Sequence, residues 1–132
     1  LYSSAASDVY KRQSSDYASA HHQRLTFNGE LRKTMQGIDV LACPSTSKAS
    51  YPVTPDILFG PIPSDRDPWD GRYTVPFDFS GLPTICLPCG LDHNGMPVSI
   101  QFAGHHLSEP LLVQVGNSFE QATDFHNMNP PV

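Results

Sequence analysis

Proline sets the first limit on what this chain can fold into. Its thirteen prolines cluster between residues 44 and 97 and again between 110 and 131. Each fixes φ and removes a backbone donor, so proline-rich stretches cannot build long uninterrupted helices. A helical bundle is thereby excluded, and short elements joined by irregular loops are expected. The 132 residues amount to one small domain, which on folding buries roughly two-thirds of the surface its unfolded chain exposes.

Ahead of the first proline the pattern is helical. Tyr17, His21, Arg24, Phe27, Leu31, Met35 and Ile38 recur at spacings of three and four, predicting a helix over 16–38 with these side chains on one face. Ser15 or Asp16 suits the N-cap, because either side chain can accept from the first backbone amides. Gly29 costs about 1 kcal/mol against alanine, so a kink or break is expected there. Gly37 is placed to end the helix in the left-handed conformation.

Asp39-Val-Leu-Ala-Cys-Pro-Ser45 reads as a short strand, apolar on both faces and ended by Pro44. Residues 46–72 hold five prolines with Gly60 and Gly71, and predict a long irregular excursion. A short turn or helix follows over 73–83. Thr84–Pro88 and Pro97–Ala103 then read as antiparallel neighbours joined through Gly90 and Gly95. A last helix is predicted from Glu109 to Phe125, with Leu111, Leu112, Val115, Phe119 and Ala122 on one stripe and Ser108 as its cap. The order is α/β: about three strands, two main helices and a long proline-rich loop. Three strands make a thin sheet that wants neighbours.

The net charge of −5 leaves no basic patch to replace phosphate counterions, which argues against direct nucleic-acid binding. No apolar run approaches the roughly 18 residues of a membrane span. Residues 1–13 show no periodicity and resemble a translated sequencing-adaptor artefact, so they are set aside and the domain is read over 14–132. The first methionine is Met35, and truncation at the N-terminus is therefore expected. Cys43, Cys86 and Cys89 are too few for a disulfide framework, and without a visible targeting segment a reducing cytoplasm is the expected compartment.

Local motifs carry little chemistry by themselves. Cys86-Leu-Pro-Cys89 lies at a strand end rather than a helix N-terminus, and no second such pair completes a zinc site, so buried reduced thiols are expected. His21-His22 and His105-His106 diverge as neighbours on any regular element and have no metal-ligand spacing. There is no nucleophile elbow and no phosphate-cradling glycine loop. Lys11, Lys33 and Lys48 lie outside any Gly/Ser-rich context. The aromatic set Tyr51, Phe59, Trp69, Tyr73, Phe77 and Phe79 could wall a pocket for a small, partly apolar substrate, or could pin the loop to the sheet.

Taken in order, residues 39–126 resemble the C-terminal segment of the amidase signature family. Asp39–Ser45 resembles that family's "D-v-L-x-x-P-t" strand, and Tyr73–Thr84 its "f-T-x-p-x-N-x-x-G-l-P-a" turn. Ile85–Gly90 with Gly95–Gln101 resembles "s-l-P-x-G … G-l-P-v-G-l-Q", while Glu109–Leu112 and Asp124–His126 resemble the closing "E-x-x-L … D-W-H". The resemblance implies an α/β sandwich, a mixed sheet flanked by helices, of which this chain is an incomplete C-terminal portion.

It also implies amide hydrolysis by a serine nucleophile, a second serine in a cis peptide and a lysine base, with backbone amides holding the oxyanion. All of these lie upstream of the matching segment, so no catalytic, metal or cofactor residue is assigned, and the chain alone is expected to be inactive. Trp69, Tyr73, Phe77, Asp78 and Phe79 are the expected substrate-pocket residues. Asp78 stands where the family has Asn and would favour a cationic or amine-bearing substrate; Ser99 stands where it has Gly. Gly81 and Pro83 are expected to shape the turn, and Gln101 to act as a polar brace. The implied partners are a small-molecule amide and the missing N-terminal part of the same chain; a homodimer is compatible with both. Two alternatives stay open: the ammonia-delivering A-type component of a tRNA-dependent amidotransferase, and a stand-alone α/β binding module.

Overall fold

The computed structural model describes residues 14–48, 50, 55–58 and 67–128. The chain divides into two compact units, Leu1–Gly37 and Ile38–Val132. The first contains α1, Ser14–Thr34, with Asp16 in its first turn and Arg32 and Lys33 in its last, both favourable to the helix dipole. The helix runs unbroken through Gly29, where a Cβ would meet nothing within 4 Å. The glycine costs propensity there but makes no kink. The expected stripe is only partly realised: Tyr17 is 77% exposed, and α1 itself has no buried residue. The helix stops four residues earlier than its periodicity predicts, and Gly37 follows at φ 76°.

The second unit is built on β1 (Val40–Pro44), β2 (Thr84–Leu91) and β3 (Pro97–Gly104), in the order β1-β3-β2. All pairing among the described residues is antiparallel, so of the expected mixed sheet the chain contributes an antiparallel part. β1 reads as an interior strand, but among the described residues it pairs with β3 alone, which takes the centre, and Ala42 and Pro44 are exposed. The predicted β2–β3 hairpin is present. Its turn is closed by Asp92 N–H to Met96 O (2.8 Å) and Gly95 N–H to Asp92 O (3.0 Å), with Gly95 at φ 77°. The register slips between Pro88 and Gly90, leaving Cys89 as the extra residue of a bulge.

Between β1 and β2 the described elements are short. They are α2 (Pro55–Leu58), a 3-10 turn at Pro68–Gly71 and α3 (Val75–Ser80). Pro76 lies in the first turn of α3, where its missing N–H is no loss, and Gly81 ends the helix at φ 75°, donating to Phe77 O at 2.7 Å.

Helix α4, Glu109–Ala122, covers one face of the sheet along β2 and β3. Gly116 lets it approach closely: a Cβ there would lie 2.9 Å from Ile85 Cδ1 and 3.5 Å from Leu87 Cδ1. Phe119 meets Phe102 edge-on at 5.7 Å, and Leu112 is buried over Gly104. The helix ends at Ala122, and Phe125–Asn127 forms a separate 3-10 turn. Ser108 occupies the cap position, but its hydroxyl donates back to His105 O at 2.6 Å and makes no bond to a helix amide. Its φ and ψ of −99° and 20° lie away from the extended geometry that aims a cap oxygen at those amides.

Candidate functional site

Cross-strand partners share a sheet face. Ile85 faces Phe102 and Leu87 faces Ile100, so these four define the apolar side covered by α4. Cys43, Gln101 and Cys86 align across all three strands on the opposite side. Toward one end of that side lie Leu41 and the fully buried Ala103; toward the other it is small and polar, with Ser45 and Ser99 joined by Ser45 N–H to Ser99 O at 3.1 Å.

Gln101 sits at its centre, 4% exposed. Its Nε2 donates to Tyr73 O at 2.8 Å and reaches Cys43 Sγ at 3.5 Å, while its Oε1 accepts from Cys86 Sγ at 3.5 Å. The expected polar brace is present, and it ties the sheet to the segment that leads into α3. The carbonyl of Thr74, one residue further on, accepts from the amides of Phe77 (3.0 Å) and Asp78 (3.1 Å).

The substrate-pocket residues read from sequence separate on this scaffold. Phe77 and Phe79 are two residues apart on a helix and point to different sides: Phe77 is buried, whereas Phe79 is partly exposed. Asp78 is exposed, Tyr73 is half-buried with Arg72 5.6 Å from its ring centroid, and Trp69 is 68% exposed. Tyr51 and Phe59 lie outside the described residues. A cluster that the sequence did not suggest gathers beside Trp69. Lys48 Nζ lies 2.8 Å from Asp70 Oδ1 and 4.0 Å from Asp67 Oδ2, and Ser47 Oγ donates to Asp70 O at 3.0 Å. Asp67 Oδ1 accepts from Trp69 N–H at 2.9 Å. The Asp70 hydrogen bond raises the Lys48 pKa above its ordinary value, against a smaller opposing effect of desolvation. Only the nonlocal fold brings Lys48 to these carboxylates, which lie across the long loop.

Cys86 is exposed, Cys43 and Cys89 are half-buried, and all three are free thiols. Cys86 is therefore less buried than expected; α4 packs against the opposite face of β2. Among the described residues no group of three His, Cys, Asp or Glu side chains could hold a metal, and no helix is long and apolar enough to cross a membrane. Gly81 shapes the turn as expected, and Pro83 O accepts from Gly104 N–H at 3.0 Å.

The family model for Amidase matches residues 3–113. The chain belongs to the amidase family. It is 36% identical over 117 residues to a Mycobacterium tuberculosis protein named as an amidase, AmiD, a match covering 89% of this chain and 24% of that protein. It is 30% identical over 118 residues to the A-type component of the glutamyl-tRNA(Gln) amidotransferase of Acaryochloris marina, covering 86% and 23%. In solved structures its fold is similar to 6-aminohexanoate cyclic dimer hydrolase with bound substrate (TM-score 0.74, 24% identity, 91% of this chain and 27% of that one). It is likewise similar to another structure of that hydrolase (TM-score 0.70, 26% identity, 89% and 26%). This amidase-family chain thus spans about a quarter of the length of the relatives it matches.

Proposed function

We propose that this chain is the C-terminal portion of a carboxylic-amide hydrolase. The observation that carries the reading is the 36% identity over 117 residues with a protein named as an amidase. The nucleophilic serine, the bridging serine and the lysine base come from the part of the amidase fold that precedes this segment. There the serine attacks the amide carbonyl, the amine departs with a proton relayed from that serine, and water releases the acid. No residue of this chain enters those steps.

Its part is to wall the substrate. On this reading Trp69, Tyr73, Asp78 and Phe79, exposed or half-buried on and before α3, are the side chains offered to the substrate, and buried Phe77 anchors that helix. A carboxylate roughly 4–8 Å from a substrate ammonium in a water-like medium contributes roughly 0.5–1 kcal/mol, a two- to fivefold preference for amine-bearing amides from Asp78.

A chimera tests the reading. Residues 14–128 replace the matching C-terminal quarter of the mycobacterial relative, and amide hydrolysis is followed by ammonia release. Retained turnover supports it; a folded chimera without turnover sinks it. Asp78→Asn in that chimera should erase the preference for amine-bearing over neutral amides, and an unchanged ratio refutes the role of Asp78. The second reading, the A-type component of a tRNA-dependent amidotransferase, draws on 30–32% identity to such proteins. The same exchange made in one of them, assayed for ammonia transfer with its partner protein, separates the two. Family membership favours both over a stand-alone binding module.

A further inference from the structure

We propose that Gln101 is a positioning residue for the substrate wall, tying the segment that leads into α3 to the polar face of the sheet. The inference rests on the reading of Trp69, Tyr73, Asp78 and Phe79 as that wall. A buried carboxamide is costly unless its donors and acceptors find partners. Inside the sheet Gln101 finds only two thiols at 3.5 Å, which are weak partners. Its one strong side-chain bond, 2.8 Å to Tyr73 O, leaves the sheet altogether.

An apolar side chain would fill the same space without desolvation, so the amide adds nothing to the strand ladder. What it adds is a tie to the backbone one residue before Thr74, whose carbonyl receives the Phe77 and Asp78 amides. Burial of Phe77 fixes which side of α3 faces inward. The tie at the Tyr73 carbonyl fixes where the chain enters α3, and with it the places of Asp78 and Phe79.

The test uses the full chain with Gln101→Met, near-isosteric and apolar, and Gln101→Asn, which keeps the amide but loses its reach. Residue-resolved hydrogen exchange should quicken roughly tenfold at Phe77, Asp78 and Gly81 in both variants, the effect of losing about one hydrogen bond. The Leu87 and Ile100 amides should hold their rates. Unchanged exchange at the first three, or equal acceleration throughout β2 and β3, overturns the proposal. The second readout is fluorescence of Trp69, the chain's single tryptophan, titrated with β-alaninamide and with neutral propanamide. Weaker β-alaninamide binding in both variants, with β2 and β3 still protected, supports positioning. If the unaltered chain binds neither amide, the wall reading has failed; local exchange changes then leave Gln101 as a structural tie alone, which also overturns the assignment.

Discussion

Replacing Gly81 with alanine isolates a backbone effect from a packing one. Gly81 closes α3 at φ 75° and ψ 21°, in the left-handed region. The nearest heavy atom to an added Cβ is His106 Cε1 at 3.9 Å, an ordinary contact, so space is available. The conformation is the whole cost. An L-residue in this well loses roughly 1–2 kcal/mol relative to glycine, and the stiffer unfolded chain returns about 0.4–1 kcal/mol. The net expectation is destabilisation by about 1 kcal/mol. Rotating out of the well offers no escape, because it breaks the 2.7 Å bond from Gly81 N–H to Phe77 O, itself worth roughly 1 kcal/mol. Asparagine, which tolerates this region, should lose about half as much as alanine. Urea unfolding followed by far-UV circular dichroism reads these differences as shifts in midpoint at constant slope. Alanine equal to glycine, or asparagine worse than alanine, refutes the argument.

Leu112→Ala should cost about 3 kcal/mol in the same urea assay, since it empties a buried position between α4 and Gly104; a loss under about 1 kcal/mol would mean that α4 is not held through this contact. Asp92 accepts the Met96 and Asn94 amides at 2.8 Å each, and those bonds, the Met96 bond foremost, hold its carboxyl below the ordinary 3.8. Its folded pKa is the lower one, so its contribution is present above pH 3.8 and is lost as pH falls through the folded value. Hydrogen exchange across the β2–β3 turn should therefore quicken on acidification in the unaltered chain, and the dependence should flatten in Asp92→Asn; parallel profiles would remove Asp92 as the cause.

Local chemistry makes part of this fold legible. Gly95 and the alternation on either side of it specify a hairpin, and Gly81 specifies the end of a short helix, because each needs a conformation that few other residues accept. Periodicity misplaces the end of α1 because Ile38 continues the apolar spacing past the last i to i−4 bond, from Met35 N–H to Leu31 O, and spacing does not register where the chain turns. Residue type alone makes Ser108 a cap, whereas its backbone angles decide where its oxygen points. The strand order β1-β3-β2 rests on pairing between residues far apart in sequence, which no local pattern encodes. At the site, Gln101 is legible as a polar residue in an apolar run. Its partner is not, since a main-chain carbonyl at Tyr73 has no side-chain signature.

The two faces of the sheet divide the work. Toward α4 the side chains are branched and aromatic, and Gly116 brings the helix close enough for Ile85 and Leu87 to reach its backbone. Leu87 and Leu112 of the buried core lie on that side, and volume changes there are felt at once. On the other face Cys43, Gln101 and Cys86 themselves give little apolar area to bury, so hydrophobic packing alone fixes less of what lies beside them. Gln101 adds a directional bond there, and a separate set around Asp70 holds the turn that carries Trp69, each worth far less than the α4 contacts but each fixing a geometry. Substitutions on the first face should therefore change stability, and substitutions on the second should change where Trp69 and Asp78 sit. A scan of both faces that found stability losses evenly distributed would break that division.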